Sequence, residues 1–240
     1  MLGYRFLTSL ASRSWLDRIS SCFVIVAAIG LLWQLYGPNL NKRSSHSSPV
    51  KDISGVRLPA DGSRNVRGDG RVVLVEFADY QCEFCARHAK GPGRQLEAGY
   101  VKTGKLRHVV LNFPLPIHQE AQKAAEASEC AADQGRFWEM RQRLYSRPSS
   151  LQVSVLTEQA SDIGLDGIAF EACLSSGSTV SRVQRHVEMA HDLGVFSTPS
   201  FFLGVMQPDG AIILRKRLIG ALPYEVFRDA ISDVESAISS

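Results

Sequence analysis

The sequence predicts an α/β fold in which a block of helices interrupts a sheet, and three observations carry that prediction. Val72-Val73-Leu74-Val75, followed by Glu76 and Phe77, reads as a strand buried on both faces. Leu106-Arg107-His108-Val109-Val110-Leu111-Asn112-Phe113 reads as a second core strand, ended by Pro114 and Pro116. Helical patterning of about seventy residues then stands between these strands and a later strand pair.

Composition bounds the function classes. The 240 residues suit one domain of good size with additions, or two small ones, and a 45% apolar share supplies a real core. A net charge of +3, scattered along the chain, argues against nucleic acid as a partner. The five cysteines are too widely spaced for a disulfide-dense mini-protein. They suit an enzyme with one reactive pair, one structural pair and one left over.

From the N terminus, residues 1–18 carry Arg5, Arg13 and Arg18 against one acid, Asp17, and are expected to stay cytoplasmic. Residues 19–36 hold no charge, and as a helix would span about 27 Å, close to the hydrocarbon thickness of a bilayer. Trp33 and Tyr36 would meet the far interface. Gln34-Leu35-Tyr36-Gly37-Pro38 fits a cleavage site poorly, which favours an uncleaved anchor over a cleaved signal peptide. A mitochondrial presequence matches residues 1–18 by composition but not the apolar run after them. Cys22, inside that run, reads as a small hydrophobe. Residues 37–69, rich in Ser, Gly, Pro and charge, read as a linker, with at most a short edge strand within Val50–Leu58.

The domain is expected over residues 70–240, with its helical insert at about 117–194. Ala86-Arg87-His88-Ala89-Lys90 favours a helix straight after the first strand. His118 to Tyr145 is alanine-rich and helical, broken near Gly135. Ser154–Ile163, Gly167–Leu174 and Ser178–Leu193 follow as helices, with Gly164, Gly177 and Gly194 as C-caps. Phe201–Gly204 and Ala211–Ile219 form a strand pair around the Gln207-Pro208-Asp209-Gly210 turn. Tyr224–Ile238 is an amphipathic terminal helix.

The chemistry centres on Cys82-Glu83-Phe84-Cys85, between the first strand and its helix. A thiol at a helix N-terminus meets unpaired N–H groups and the positive end of the dipole, which favour a thiolate. The thiolate is the attacking species in disulfide exchange. Half a zinc site looks the same, but a metal ribbon needs a second close pair, and Cys22, Cys130 and Cys173 stand far apart. Glu76, a carboxylate within a buried strand, is expected to have a raised pKa and to trade protons with Cys85. Pro199 after Thr198 at a strand start needs a reason, because proline is excluded from central strands. His108, alternating out of its strand, and His118 lack partners for a metal site, and Phe137-Trp138 reads as core.

Together Glu76–Cys85, Asn112-Phe113-Pro114-Leu115, Gln134–Glu139 and Val195–Phe202 resemble the DsbA-type thioredoxin-fold family over roughly residues 70–236. The resemblance implies a thioredoxin-like fold with an inserted helical domain, and thiol–disulfide exchange outside the cytoplasm. It makes Cys82 the nucleophile, Cys85 the resolving thiol and Glu76 an acidic partner. It makes Thr198–Pro199 a cis bond whose backbone pairs with substrate. Cys130 and Cys173 are either two buried thiols or a structural disulfide, and some DsbA-like proteins have a second disulfide in this domain. Where the family commonly has Pro-Phe or Pro-His, this chain has Glu83-Phe84. A carboxylate beside Cys82 predicts a less acidic thiol and a milder oxidant.

The reading is therefore a membrane-tethered oxidoreductase forming disulfides in reduced exported proteins. Its catalytic domain would face the periplasm from the bacterial inner membrane, and a membrane quinone-linked thiol oxidase would reoxidise it. It would need no metal or other cofactor beyond its own disulfide. The alternatives are a reductase or isomerase using the same pair, and a dithiol protein that handles copper or zinc.

Overall fold

The structure, a computed structural model, describes residues 49–53, 55–59 and 65–239. The anchor expected at 19–36, with the segment before it and the first part of the linker, lies outside the described residues. Among those described, no helix is long and apolar enough to cross a membrane.

The sheet has seven strands: β1 (Val50–Asp52), β2 (Arg57–Leu58), β3 (Val66–Arg67), β4 (Val72–Ala78), β5 (Leu106–Asn112), β6 (Ser200–Met206) and β7 (Ile212–Ile219). Their order is β1-β7-β6-β4-β5-β3, with β2 also on β7. Every residue of β4 is buried, because β5 pairs with it in parallel on one side and β6 antiparallel on the other. Alternate side chains then feed two cores. Val72 and Leu74 pack with Phe201, Leu203, Phe227 and Ile231, whereas Val73, Val75 and Phe77 pack with Val109, Phe202 and Leu214. Each large side chain so buried contributes about 1.5–3 kcal/mol.

The helices are α1 (Glu83–Lys90), α2 (Pro92–Leu96), α3 (Ala121–Asp133), α4 (Phe137–Leu144), α5 (Val153–Asp162), α6 (Gly167–Ser176), α7 (Val180–Asp192) and α8 (Tyr224–Ser239), with a π-helical turn at Glu97–Val101. The insert between β5 and β6 is the run α3–α7, and its alanine face meets α4, α5 and α6 in a third core that also holds Cys85 and Tyr80. The break between α3 and α4 falls at Gly135, whose φ of 71° favours glycine.

The segment 37–69, read as linker with at most a short edge strand within Val50–Leu58, contributes three short strands from its later part, two of them inside that range. β1 and β2 pair with the outer edge of β7, and β3 with β5. Edge pairing uses main-chain hydrogen bonds, so a polar sequence such as Val50-Lys51-Asp52 supports it without packing a core.

Candidate active site

β4 ends at Ala78, and the chain turns through Asp79–Gln81 before α1 starts. Buried Asp79 fixes this turn, accepting from Gln81 N (2.7 Å), Leu115 N (2.8 Å) and His118 Nδ1 (2.7 Å). His118 thus has a partner the sequence did not reveal, and it ties the loop after β5 to the dithiol. Cys82 is the N-cap residue of α1, and Cys85 lies one turn along, fully buried; both are free thiols.

The two thiols are electrostatically unlike. A hydrogen bond from the Cys85 thiol is the main influence on Cys82; burial opposes it, while Thr198 and the backbone N–H groups of Cys85 and Phe84 reinforce it, holding the Cys82 pKa down at about 5. Burial, then the bond to Cys82 and the charge there, push Cys85 well above the ordinary thiol range, and Glu76 adds to the shift. The milder Cys82 expected from Glu83 is not what the structure gives. Glu83 is exposed, so water screens its charge, while the hydrogen bonds act at contact distance.

The Thr198–Pro199 bond is cis, and the Cys82 Sγ lies 3.4 Å from the Thr198 carbonyl oxygen. Pro199 just precedes β6, so its missing N–H removes no ladder bond from that central strand.

Glu76 departs from its expectation. It is fully buried, and burial alone would raise its pKa, but Arg141 and His108 outweigh that and hold the carboxyl well below the usual carboxylate range. Arg141 Nη2 lies 2.7 and 2.8 Å from its two oxygens, and His108 Nε2 lies 2.9 Å from Oε2. A carboxylate so held stays ionised and does not trade protons with Cys85 near neutral pH; it acts as a fixed negative charge beside that thiol. His108 turns inward because it stands opposite Leu74 in the β4–β5 register, on the face that carries Glu76.

His88 lies one turn past Cys85 on α1 and is fully buried between Phe201 and Phe227, with neither ring nitrogen hydrogen-bonded. Burial lowers its pKa to about 4, so it is neutral at pH 7. Cys130 and Cys173 are joined in a disulfide across the insert, linking α3 to α6. Among the described residues, no group of three or more His, Cys, Asp or Glu converges on a possible metal site.

Around Cys82 runs an open groove of about 760 Å³, lined in part by Phe84, Ile117, Phe196 and Thr198. Phe84, Ile117 and Phe196 are 53%, 80% and 79% exposed. An apolar cluster this open marks an interaction surface rather than a core.

A strand-to-helix dithiol facing a cis-proline, in a sheet interrupted by a helical insert, is a thioredoxin-like arrangement whose chemistry suits thiol–disulfide exchange. The thioredoxin family model matches residues 67–213, more than half of the chain, and the protein belongs to that family. Solved structures of the same fold include alpha-DsbA1 of Wolbachia pipientis (TM-score 0.64, 19% identity, 75% of this chain and 94% of that one). BdbD of Bacillus subtilis is another (TM-score 0.61, 19% identity, 76% and 97%). Among curated proteins, the Na(+)/H(+) antiporter NhaA of Herminiimonas arsenicoxydans is 38% identical over 141 residues, 58% of this chain and 22% of that protein. Na(+)/H(+) antiporter NhaA 1 of Mycolicibacterium gilvum is 32% identical over 200 residues, 80% and 31%. The chain thus spans less than a third of these relatives' length.

Proposed function

We propose that this protein forms disulfides in exported proteins through Cys82 and Cys85. A substrate thiolate attacks Cys82 Sγ of the oxidised pair, breaking the Cys82–Cys85 bond and making a mixed disulfide. Cys85 leaves as a thiolate and takes up a proton. A second substrate thiolate then attacks the substrate sulfur of the mixed disulfide and releases Cys82 as a thiolate. Two electrons pass from substrate to enzyme. The observation that carries this reading is the split between the thiols, with Cys82 at about 5 and Cys85 raised. A low pKa at Cys82 makes it the better leaving group and stabilises the reduced enzyme, which favours oxidation of substrate.

The exposed apolar cluster and the Thr198 backbone beside Cys82 suit an extended, unfolded peptide carrying apolar side chains. In this reading Cys85→Ser traps mixed disulfides with reduced, cysteine-bearing exported proteins, and Cys82→Ser abolishes exchange. Full activity in either variant would overturn the mechanism.

The domain is further assigned to the outer side of a bacterial inner membrane, tethered through residues 19–36, with 1–18 cytoplasmic and a membrane quinone-linked thiol oxidase reoxidising the pair. Three observations support this: the uncharged run at 19–36, a Cys130–Cys173 disulfide that suits an oxidising compartment, and relatives named as Na(+)/H(+) antiporters. Protease added to intact spheroplasts should digest residues 70–240; protection would place the domain inside.

A further inference from the structure

The far side of the Glu76 cluster opens on a cavity of about 330 Å³, whose lining includes Lys90, Arg94, His108, Arg141 and Tyr145. It is not the groove at Cys82, with which it shares no lining residue. Its charge is one-sided. Arg67, Lys90, Arg94 and Arg141 meet a single carboxylate in the lining, Glu97, which pairs with Arg67 at 3.1 Å. Glu76 lies directly behind, bonded to Arg141 and His108. Two positive charges remain unmatched, and neither Lys90 nor Arg94 makes an ion pair among the described residues.

Arg141, only 9% exposed, is a cation built into the wall, its guanidinium held from behind by Glu76. A nearly buried cation fixed beside two unpaired ones at the wall of a cavity points to a ligand that is anionic and accepts hydrogen bonds. Arg67 stacks on Trp138 at 4.5 Å and closes one side.

We propose that this cavity binds a phosphate-class dianion, held by Lys90 and Arg94 at its mouth with Arg141 behind them. A dianion matches the two uncompensated charges, and a tetrahedral oxyanion offers enough acceptors for donors arriving from several directions. The source is either free phosphate or the headgroup of an anionic lipid.

The test uses the full chain in a non-ionic detergent, with Trp15→Phe and Trp33→Phe so that Trp138 reports alone. Inorganic phosphate is titrated at constant ionic strength set by chloride. A saturable change in Trp138 emission is expected, and the Lys90→Ala/Arg94→Ala pair, both exposed residues, should weaken it by about tenfold or more while leaving thiol–disulfide exchange unchanged. No saturable response, or the same midpoint in the double variant, would overturn the proposal. Short-chain dihexanoyl phosphatidic acid, used below its micelle concentration, identifies the source. Tighter binding than phosphate, lost in the double variant, supports a lipid headgroup; equal or weaker binding supports the free ion.

Discussion

Replacing Arg141 by Met tests the account of Glu76. The Arg141 guanidinium lies 2.7 and 2.8 Å from the oxygens of a carboxylate with no exposed surface, and His108 at 2.9 Å is its other close partner. Removing one member of a buried pair leaves the other charge uncompensated, at a cost of about 3–5 kcal/mol. Urea unfolding at pH 7 should therefore show Arg141→Met less stable by about that amount. The Glu76→Gln/Arg141→Met double variant should recover much of the loss, because no charge is then stranded. The pH dependence should change sign as well. In the parent, Glu76 is held below its unfolded value, so its contribution is present at neutral pH and is lost as pH falls. In Arg141→Met the stranded carboxylate is costly at neutral pH, and the deficit should shrink on acidification as it takes up a proton. A single-variant loss under about 1 kcal/mol, or no coupling in the double variant, would refute the reasoning.

Other consequences are open to measurement. His88, at about 4 in the fold against 6.5 ordinarily, binds its proton in the unfolded chain first as pH falls. Stability should drop by about 3 kcal/mol between pH 6.5 and 4 on this account, and His88→Leu should remove that part of the acid loss in urea titrations. The Cys130–Cys173 bond spans a sequence separation of 43, so Cys130→Ala/Cys173→Ala should cost up to about 4 kcal/mol by the chain-entropy estimate, read by the same unfolding assay. Ile117→Ser and Phe196→Ser, at exposed positions, should slow oxidation of a reduced protein substrate several-fold while leaving reaction with dithiothreitol unchanged.

What could be read in the sequence was local or periodic. The strand-to-helix dithiol, the core strands β4 and β5 and the helical insert follow from apolar runs and glycine punctuation, which carry their meaning within a few residues. What could not be read depends on approach through space. Arg141 reaches Glu76 across 65 positions, so the carboxylate looked like a desolvated acid when it is half of an ion pair. His108 turns inward although its alternation suggests outward, because alternation does not say which face of a strand is covered. The edge strands β1–β3 depend on backbone pairing to which side-chain composition is nearly blind. Glu83 misled for a further reason: its sequence neighbourhood to Cys82 hides that it faces water.

The central claim is that Cys82 and Cys85 form a pair poised to oxidise others. It is tested most directly by equilibrating the full chain in glutathione buffers and following Cys82–Cys85 by thiol trapping. A reduction potential near about −120 mV is the predicted result, since a Cys82 thiolate stabilised at about 5 favours the reduced state. A value near about −270 mV would make the protein a reductase and contradict the account.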